Sequence, residues 1–420
     1  MSAISSPSQP DRAPSRDEAG APPPGAGGWP ALRAVGRRAA PALAVFTAAK
    51  ASGFAVFLAL LAGSKSYAGK NAAFGGGAHA WEVLGSWDGK WYQRIAVQGY
   101  HPESIAAVGG IQHLHQNSVA FFPLYPALIR LVGECTGLGA FGAGLVVAVL
   151  SSMVAAVALY LIAEKLAGPR TGLITAALWA VLPGSGVEWA VYSDSLFVAL
   201  AALACYCVMT RRWLHAGALT CVAGLNRPTS AALIGAVVLA AAIALGRRED
   251  GWRPLGAILI APWGLIGYLG WVGYRMGALD AYTTLERTQW GHYFDWGQYT
   301  FHTSVSLMLG KHLLWADFEV PNLIALLLLL SLPVLVVLML QLRLPAVLNA
   351  YALLTIALVV PNAGLYCNYS RYLLPAFPLF LALAYGLRRV RLPALAVTIG
   401  VLAAASGWYA GFALFELGAP

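Results

Sequence analysis

The sequence predicts an all-α polytopic membrane protein. Of its 420 residues, 59% are hydrophobic and only 11% are charged, whereas soluble domains average about 25% charged residues. Runs such as residues 322–342 are close to the ~20 apolar residues that a helix needs to cross a bilayer. Arg and Lys residues cluster at the ends of such runs, as in cytoplasmic loops that follow the positive-inside rule. The net charge of +9 therefore reflects membrane topology, and no binding to nucleic acid is expected.

The N-terminal part of the chain differs in composition from the rest. Residues 1–32 are rich in Pro, Ser, Gly and Ala and have no apolar periodicity, which predicts a disordered cytoplasmic tail over residues 1–35. The first apolar run starts only after residue 39 and no convincing cleavage pattern follows it, so a signal peptide is not expected. Residues 36–420 are predicted to form one multi-span membrane domain.

Placing the basic clusters in the cytoplasm fixes the order of the predicted spans. A first helix over about 39–62 leads to a large outer loop, about 63–118, and segment 142–163 returns inward. A second large outer loop is predicted over about 275–320. The other predicted spans are a hairpin of 171–183 and 191–210, a segment 214–246 whose middle reaches the outer side, and then 254–274, 322–342, 345–361, 371–387 and 393–415.

Segment 119–133 does not fit this alternation. It has too few apolar residues to span comfortably, and a span here would place Lys165 and Arg170 outside. It is interpreted as a re-entrant or interfacial helix, or as a short span broken by Pro123 and Pro126. Ten and eleven spans are both compatible with the sequence.

The topology brings four charged residues to the outer side of the membrane: Asp88, Asp194, Arg227 and Arg371. They belong to four segments that are far apart in sequence. An apolar bundle with polar groups converging on one face is expected to carry its chemistry on that face.

The first outer loop contains the stretch SWDGKWYQRIAVQGY, residues 86–100. An apolar, Trp-rich stripe recurs there at helical spacing, formed by Leu84, Trp87, Trp91 and Ile95. Such a stripe predicts a helix lying flat in the headgroup region. Asp88 and Tyr92 are one turn apart on a neighbouring face, so Asp88 is a candidate site carboxylate. The alternative is that Asp88 only caps a helix beginning at Gly89.

Each of the other charged candidates also has a structural alternative. Asp194 is either a site residue or the N-cap of the helix that follows it. An unpaired Arg227 inside an apolar stretch would be costly, so it is predicted to contact a phosphate or to form an ion pair. Arg371 is assigned to phosphate contact or to interfacial anchoring. Lys50, within the first span, is expected to snorkel or to pair inside the bundle, with a second phosphate contact as a weaker alternative.

No metal site and no cofactor are predicted. The histidines of the outer loops include the HLH sequence of His113 and His115, which is interpreted as ordinary loop polarity. A Gly-rich phosphate loop is absent from the cytoplasmic segments of the sequence, which argues against a nucleotide-sugar donor.

Four blocks across roughly residues 80–235 resemble the PIG-V family, the GPI mannosyltransferase II type enzymes and their bacterial relatives. The blocks read SWDGKWYQRIAVQGY, AFFPLYPALIR, WAVYSDSLFVAL and GLNRPTSAAL. The resemblance implies a GT-C type bundle of about 10–11 transmembrane helices, with a large first extracytoplasmic loop carrying short interfacial helices. It also implies that Asp88 is the catalytic base. Asp194 stands where the family pattern has Glu, and NRPTS replaces a Ser-Asn-Gly type sequence around Arg227.

The resulting prediction is an inverting mannosyltransferase of the plasma membrane that uses a polyprenyl-phosphate-mannose donor. Asp88 and Asp194 are the predicted catalytic residues, and Arg227 and Arg371 are predicted to bind the donor phosphate. Substrate-site support is assigned to Lys90, Trp91, Tyr92, Tyr192 and Tyr372. The acceptor is left open between a glycolipid, a polysaccharide and a protein. The alternative function is a transporter or flippase of lipid-linked substrates, which the absence of a visible sequence repeat disfavours.

Overall fold

The computed structural model describes residues 29–64, 80–311, 319–413 and 415. The chain divides into two compact units, residues 1–40 and 41–420. In the first unit the described part is the beginning of helix α1, which spans Trp29–Ser64. The predicted tail boundary at residue 35 therefore falls inside a helix, because Trp29-Pro30 supplies a proline for the first helical turn, where its missing N–H is tolerated. The rest of the predicted tail lies outside the described residues.

The described chain is almost entirely helical. After α1 come a 3₁₀ turn (Ala80–Gly85), α2 (Asp88–Gln98), 3₁₀ turns at Ile111–His113 and Ser118–Ala120, α3 (Leu124–Thr136), α4 (Ala140–Ala167), α5 (Pro169–Val181), a 3₁₀ turn (Ser185–Trp189), α6 (Asp194–Met209), α7 (Trp213–Gly224) and α8 (Ser230–Gly246). The second half holds α9 (Arg253–Ile260), α10 (Trp263–Met276), α11 (Ala281–Leu285), a π turn (Glu286–Trp290), α12 (Gln298–Met308), α13 (Glu319–Gln341), α14 (Ala346–Val359), a 3₁₀ turn (Tyr366–Asn368), α15 (Tyr369–Tyr372), α16 (Pro378–Leu387), α17 (Leu392–Ser406) and a π segment (Gly407–Ala413).

Within the described residues, five helical segments are long and apolar enough to cross a membrane: Gly36–Ser64, Ala140–Ala167, Arg253–Met276, Val320–Gln341 and Leu392–Ala413. Shorter apolar helices of 10–17 residues are Asp194–Met209, Ser230–Gly246, Ala346–Val359 and Pro378–Leu387. The prediction of an all-α polytopic membrane protein is confirmed. The count of ten or eleven spans stays a prediction, because several predicted spans are shorter than the hydrocarbon core is thick.

Prolines divide some of the predicted spans. Segment 214–246 is split into α7 and α8 by a break that contains Pro228, as its predicted excursion to the outer side requires. The predicted span 371–387 is interrupted between α15 and α16, where Pro375 lies. Segment 119–133 holds α3, which is 13 residues long and hence about 20 Å, too short to span. Pro123 precedes this helix and Pro126 lies in its first turn, so these prolines begin the helix and do not break it.

The core of the bundle is built from small residues. Helix α6 packs against α4, α7 and α8, and it buries Phe197, Ala201 and Cys205. The facing part of α4 buries alanines such as Ala155 and Ala158. Small side chains let helices approach closely enough for van der Waals contact to hold them together in lipid, where the hydrophobic effect gives no net drive.

The second large loop is tied to the segment that follows α14. Its strand β1 (Tyr293–Phe294) pairs antiparallel with β2 (Asn362–Ala363), so that Tyr293 faces Ala363 and Phe294 faces Asn362. The π turn Glu286–Trp290 precedes this small sheet. Part of the predicted loop, residues 312–318, lies outside the described residues.

The structure buries part of the apolar stripe predicted for helix α2. Of its apolar stripe, Leu84 and Ile95 are only 3% and 4% exposed and pack inside the protein. Ile95 and Tyr92 belong to one buried cluster with Phe121 and Ile129. These two members of the stripe therefore contact protein, whereas Trp87 and Trp91 are half-buried. Helical periodicity identifies an apolar face, but it does not say whether protein or lipid covers that face.

Candidate active site

The four charged residues that the topology brought to one side form a connected ion-pair network. Arg371 Nη2 donates to Asp88 Oδ2 at 2.5 Å, and Arg371 Nε lies 3.2 Å from both carboxylate oxygens of Asp194. Arg227 Nη1 donates to Asp194 Oδ1. The network runs Asp88–Arg371–Asp194–Arg227, and the predicted convergence of these segments is confirmed.

The members of this network differ in exposure. The side chains of Asp194, Arg371 and Arg227 are 0%, 3% and 8% exposed, whereas that of Asp88 is 27% exposed. Two carboxylates balance two guanidinium groups, which satisfies the requirement that charges buried in a membrane protein be paired. Asp88 is the carboxylate of the network that a substrate can reach.

Neither aspartate is a helix cap. Helix α2 begins at Asp88 itself, and the capping position is Trp87, whose φ of 51° lies in the left-handed region. Helix α6 likewise begins at Asp194 after Ser193, and neither capping residue makes a side-chain cap bond. The capping alternatives for Asp88 and Asp194 are therefore wrong. The unfavourable conformation of Trp87 indicates that the surrounding structure holds this turn in place.

Arg371 is the hub of the network. Its guanidinium lies 4.6 Å from the ring centre of Tyr192 and 5.5 Å from that of Tyr372, in cation–π geometry. The carboxylates of Asp88 and Asp194 both contact the guanidinium group of Arg371 and balance its charge. The prediction that Arg371 anchors the protein at the interface is wrong, because the residue is buried between two carboxylates.

A glycine fixes the backbone that carries Arg371. Gly184 has a φ of +83°, and a Cβ at this position would lie 2.4 Å from the carbonyl oxygen of Ser370. The Ser370 hydroxyl in turn accepts a hydrogen bond of 3.1 Å from Tyr409. The turn between α5 and α6 thus holds α15 at close range, which sets the position of the Arg371 side chain.

Arg227 lies in the break between α7 and α8. Asn226 beside it donates through Nδ2 to the Ser193 carbonyl at 3.0 Å, which ties the break to the start of α6. The Arg227 guanidinium is 5.4 Å from the ring centre of Tyr372. The ion pair predicted as one alternative for Arg227 is thus present, with Asp194 as its partner. The predicted phosphate contact stays a prediction.

The predicted supporting residues divide into two groups. Tyr92 hydrogen-bonds Ser193 Oγ at 2.8 Å, Tyr192 donates to the Ser86 carbonyl at 3.1 Å, and Tyr372 faces both arginines. Burial, followed by Asp88, raises the pKa of Tyr92. The Tyr92 phenol is therefore neutral near pH 7 and acts as a hydrogen-bonding group.

Lys90 and Trp91 do not take the predicted supporting place. Both are partly exposed and are absent from the lining of the cavity above the network. Trp91 instead stacks on Phe121, with ring centres 5.5 Å apart and an angle of 15° between the rings. On helix α2, Lys90 lies about 200° around the helix axis from Asp88 and so points away from it, whereas Trp91 is about 100° from Tyr92 and turns toward Phe121.

The network forms part of the wall of a cavity of about 650 Å³, hereafter the central cavity. Its size falls within the ~300–1,000 Å³ usual for small-molecule sites. Network and tyrosine residues in its lining are Asp88, Arg227, Arg371, Tyr92 and Tyr372, whereas Asp194 and Tyr192 lie behind them. Sequence reasoning missed the opposite wall, which includes Asp280, Tyr282, Glu286, Arg287, Trp290, His292 and Asn362. The charged and aromatic stretch ERTQWGHYFDW (286–296) was the available signal.

Lys50 pairs inside the bundle, as one of its alternatives predicted. Its ammonium lies 3.2 Å from Glu188 Oε2 and donates to the Ser185 carbonyl, and the two side chains are 6% and 0% exposed. Lys50 is absent from the lining of the central cavity, so the predicted second phosphate contact is wrong. Glu188 was not singled out from the sequence because it carried no recognisable pattern.

Within the residues that the structure describes, no group of three or more His, Cys, Asp or Glu side chains is arranged to hold a metal ion. His292 is paired with Glu286 at 3.0 Å. His113 and His302 lie outside the lining of the central cavity.

Comparison with known proteins gives one family match, and no curated protein matches the chain. Residues 120–269 match the model of the dolichyl-phosphate-mannose-protein mannosyltransferase family. This segment is about a third of the chain; it includes Asp194 and Arg227 but neither Asp88 nor Arg371. The PIG-V resemblance stays a prediction.

Solved structures similar to the chain include ArnT from Cupriavidus metallidurans bound to undecaprenyl phosphate, with 16% identity and a TM-score of 0.48 over 75% of this chain and 58% of that one. The apo state of the same protein gives 18% identity and a TM-score of 0.45 over 73% and 55%. The chain thus spans less than two thirds of the length of these structures. It is an all-α polytopic membrane protein whose central third is similar to the dolichyl-phosphate-mannose-protein mannosyltransferase family.

Proposed function

We propose that this protein is a membrane glycosyltransferase that transfers a sugar, mannose, from a polyprenyl-phosphate donor to an acceptor hydroxyl. The observation that carries the proposal is the position of Asp88. Its carboxylate is partly exposed at a cavity that two arginines of the same network also line. The family match over residues 120–269 supports the same chemistry.

In the proposed reaction, Asp88 removes the proton from the acceptor hydroxyl as its oxygen attacks the anomeric carbon. The bond between that carbon and the phosphate oxygen breaks, and the polyprenyl phosphate leaves with the electron pair. A single displacement of this kind inverts the anomeric configuration and requires one base. The leaving group is already an anion, so it needs cations and hydrogen-bond donors more than a proton.

The break between α7 and α8 is suited to hold that phosphate. Arg227 uses Nη1 for Asp194, and the rest of its fork remains for a ligand. Thr229 lines the central cavity, and its hydroxyl has no hydrogen-bond partner among the described residues. It lies at the start of the 17-residue helix α8, where backbone N–H groups and the helix dipole favour an anion.

Asp194 receives a different role from the predicted one. It is fully buried and absent from the cavity lining, so it does not meet the substrate. It contacts both Arg227 and Arg371 and fixes their orientation. We therefore assign Asp194 as a positioning residue and Asp88 as the catalytic one.

The proposed reaction is tested by supplying radiolabelled polyprenyl-phosphate-mannose to membranes that contain the protein. Transfer of label into a glycolipid, polysaccharide or protein fraction is expected, and it must be absent from membranes that lack the protein. Release of the donor on the opposite side without a new glycosidic bond would support the transporter alternative. No transfer from any polyprenyl-phosphate hexose would contradict the proposal.

We further propose that the central cavity faces the extracytoplasmic side of the plasma membrane and that the N-terminus is cytoplasmic. The five native cysteines, of which Cys135 is exposed, are first replaced. In that background, Gln112→Cys and Gln298→Cys should react with a membrane-impermeant thiol reagent in intact cells. Arg247→Cys, in a predicted cytoplasmic loop, should react only after lysis. The reverse pattern would refute the proposed topology.

A further inference from the structure

The wall of the central cavity opposite the ion-pair network is built by the π turn Glu286–Trp290 and the residues that follow it. Glu286, Trp290 and His292 all line the cavity, and none of them has a role in the proposed reaction. π turns are rare in proteins and occur frequently at functional sites. This wall is therefore a candidate for a second set of substrate contacts.

Glu286 and His292 form a pair in this wall. His292 Nδ1 lies 3.0 Å from Glu286 Oε2, and the backbone N–H of His292 donates to the Glu286 carbonyl oxygen, also at 3.0 Å. An ionised carboxylate only accepts, so Nδ1 carries the hydrogen of the side-chain bond. The other ring nitrogen, Nε2, has no hydrogen-bond partner among the residues that the structure describes. The His292 side chain is 26% exposed, so a ligand can reach it.

The imidazole of His292 is also held by the segment that follows β2. His292 directly precedes strand β1, which pairs with β2, and Gly364 directly follows β2. Gly364 has a φ of +80°, and a Cβ at this position would lie 2.9 Å from His292 Cδ2. The glycine thus lets the backbone approach the ring closely. A ring fixed from two sides loses little conformational freedom when a ligand binds.

Aromatic rings connect this wall to the helix that carries the proposed base. The ring centre of Trp290 lies 6.1 Å from that of Phe121, and the ring centre of Phe121 lies 5.3 Å from that of Tyr92. Tyr92 is one helical turn from Asp88 on α2. All four side chains line the same cavity. A ligand that fills the cavity therefore meets both the wall of Asp88 and the wall of His292.

The chemistry of the pair suits a sugar hydroxyl group. A neutral imidazole accepts at Nε2 and a protonated one donates there, and a hydroxyl group can do both, so it can bond Nε2 in either state. The carboxylate of Glu286 would repel a phosphate. In the proposed reaction the donor phosphate lies at Arg227 and the acceptor hydroxyl at Asp88. The group that still needs a partner is the sugar between them.

We propose that His292, oriented by Glu286, binds a hydroxyl group of the sugar that the donor lipid carries, and so determines which sugar the protein accepts. This inference rests on the proposed glycosyltransferase function. A site built to hydrogen-bond a substrate hydroxyl rejects an analogue without that hydroxyl, because its own polar groups are then left unpaired. His292 is the sugar-binding residue, and Glu286 is a positioning residue that acts through it.

The test compares the affinity of the detergent-purified protein for polyprenyl-phosphate-mannose and for polyprenyl phosphate without a sugar. His292→Asn is the informative variant, because its amide takes the place of Nδ1 and can still bond Glu286, whereas nothing replaces Nε2. Its Kd for the mannose lipid should rise about two- to tenfold, the loss of one hydrogen bond. Its Kd for polyprenyl phosphate should equal that of the wild type.

Three further variants control for structural effects. His292→Gln, whose amide reaches the place of Nε2, should bind the mannose lipid more tightly than His292→Asn does. Glu286→Ala should weaken binding of the mannose lipid alone, and Glu286→Gln, whose amide oxygen still accepts from Nδ1, should weaken it less. His302→Ala changes an exposed histidine of the same outer loop that does not line the cavity, so it should match the wild type with both lipids.

Binding is measured without an acceptor, which separates this inference from the proposed function. Equal Kd values of the wild type and His292→Asn for the mannose lipid would overturn the inference, and so would an equal rise for both lipids, which indicates a structural role. If the expected pattern appears but no sugar is ever transferred, the sugar contact stands and the proposed function fails. If sugar is transferred while His292→Asn binds both lipids like the wild type, the function stands and the sugar contact is refuted.

Discussion

Asp88→Asn separates catalysis from stability more cleanly than any other change in the network. Asparagine has nearly the same shape, and its amide oxygen can still accept from Arg371 Nη2, which now lies 2.5 Å from Asp88 Oδ2. Arg371 also keeps both of its contacts with Asp194. What the variant loses is the ability to take a proton from an acceptor hydroxyl.

The magnitudes differ for the two properties. Loss of a general base lowers a rate by about 10²–10⁴-fold, which is about 3–5 kcal/mol of activation free energy. The Asp88 side chain is 27% exposed and Arg371 keeps both contacts with Asp194. We therefore expect Asp88→Asn to lower the free energy of unfolding by less than Asp194→Asn does, even though it leaves one guanidinium charge of the network unbalanced. Asp194→Asn is the matched comparison, because it removes the partner of two buried guanidinium groups and should cost about 3–5 kcal/mol of stability.

The assay measures kcat for sugar transfer from radiolabelled polyprenyl-phosphate-mannose, together with thermal unfolding of the same detergent-purified samples. Asp88→Asn should remain folded and transfer almost no sugar, and it should unfold at a higher temperature than Asp194→Asn. A normally folded Asp88→Asn protein that keeps more than a tenth of its turnover would refute the assignment. The base would then be sought at Asp280 or Glu286, the other carboxylates in the lining of the central cavity.

Three further predictions concern Arg227, the Lys50–Glu188 ion pair and Gly184. Arg227→Lys keeps the charge but loses the planar guanidinium fork, so the KM for the donor should rise about tenfold, equivalent to about 1.4 kcal/mol. An unchanged donor KM would leave Arg227 with a structural role only. Lys50→Met and Glu188→Gln should each lower the free energy of unfolding by about 3–5 kcal/mol, because a buried charge loses its partner. Replacing both residues by Met should lower it by much less. If calorimetry shows that the two losses add, the proposed pairing is contradicted. Gly184→Ala should reduce kcat and lower the free energy of unfolding by at least about 1 kcal/mol, because the left-handed backbone is strained by a Cβ that meets Ser370. Wild-type turnover would show that this turn does not position Arg371.

The sequence was sufficient to predict the segments that form the site. The clusters of Arg and Lys gave a predicted topology, and this prediction placed Asp88, Asp194, Arg227 and Arg371 on one side of the membrane. It was not sufficient to predict which charges pair, because Asp88 and Arg371 are 283 residues apart. A single sequence shows that a buried charge needs a partner. It does not show which of the two arginines pairs with which of the two carboxylates, because either arginine could neutralise either carboxylate.

Two other failures have a common physical cause. The stripe of Leu84 and Ile95 was assigned to the membrane surface, and the cavity wall around Glu286 and Trp290 was not recognised. Both features depend on how the outer loops fold back on the bundle, which local periodicity does not encode. Phe121 illustrates the difficulty. It belongs to the FFP block in sequence, but in space it packs against Trp91 and Trp290 in the wall of the central cavity.

The order of the network along the chain has a consequence for biogenesis. Asp194 and Arg227 are 33 residues apart, on either side of the α6–α7 hairpin, so they can pair soon after both have entered the membrane. Asp88 can form its ion pair only after Arg371 has been synthesised, 283 residues later in the chain. Until then its carboxylate has to remain hydrated at the membrane surface, since an unpaired charge is costly in lipid. A nascent chain therefore cannot complete the network Asp88–Arg371–Asp194–Arg227 before α15 is inserted.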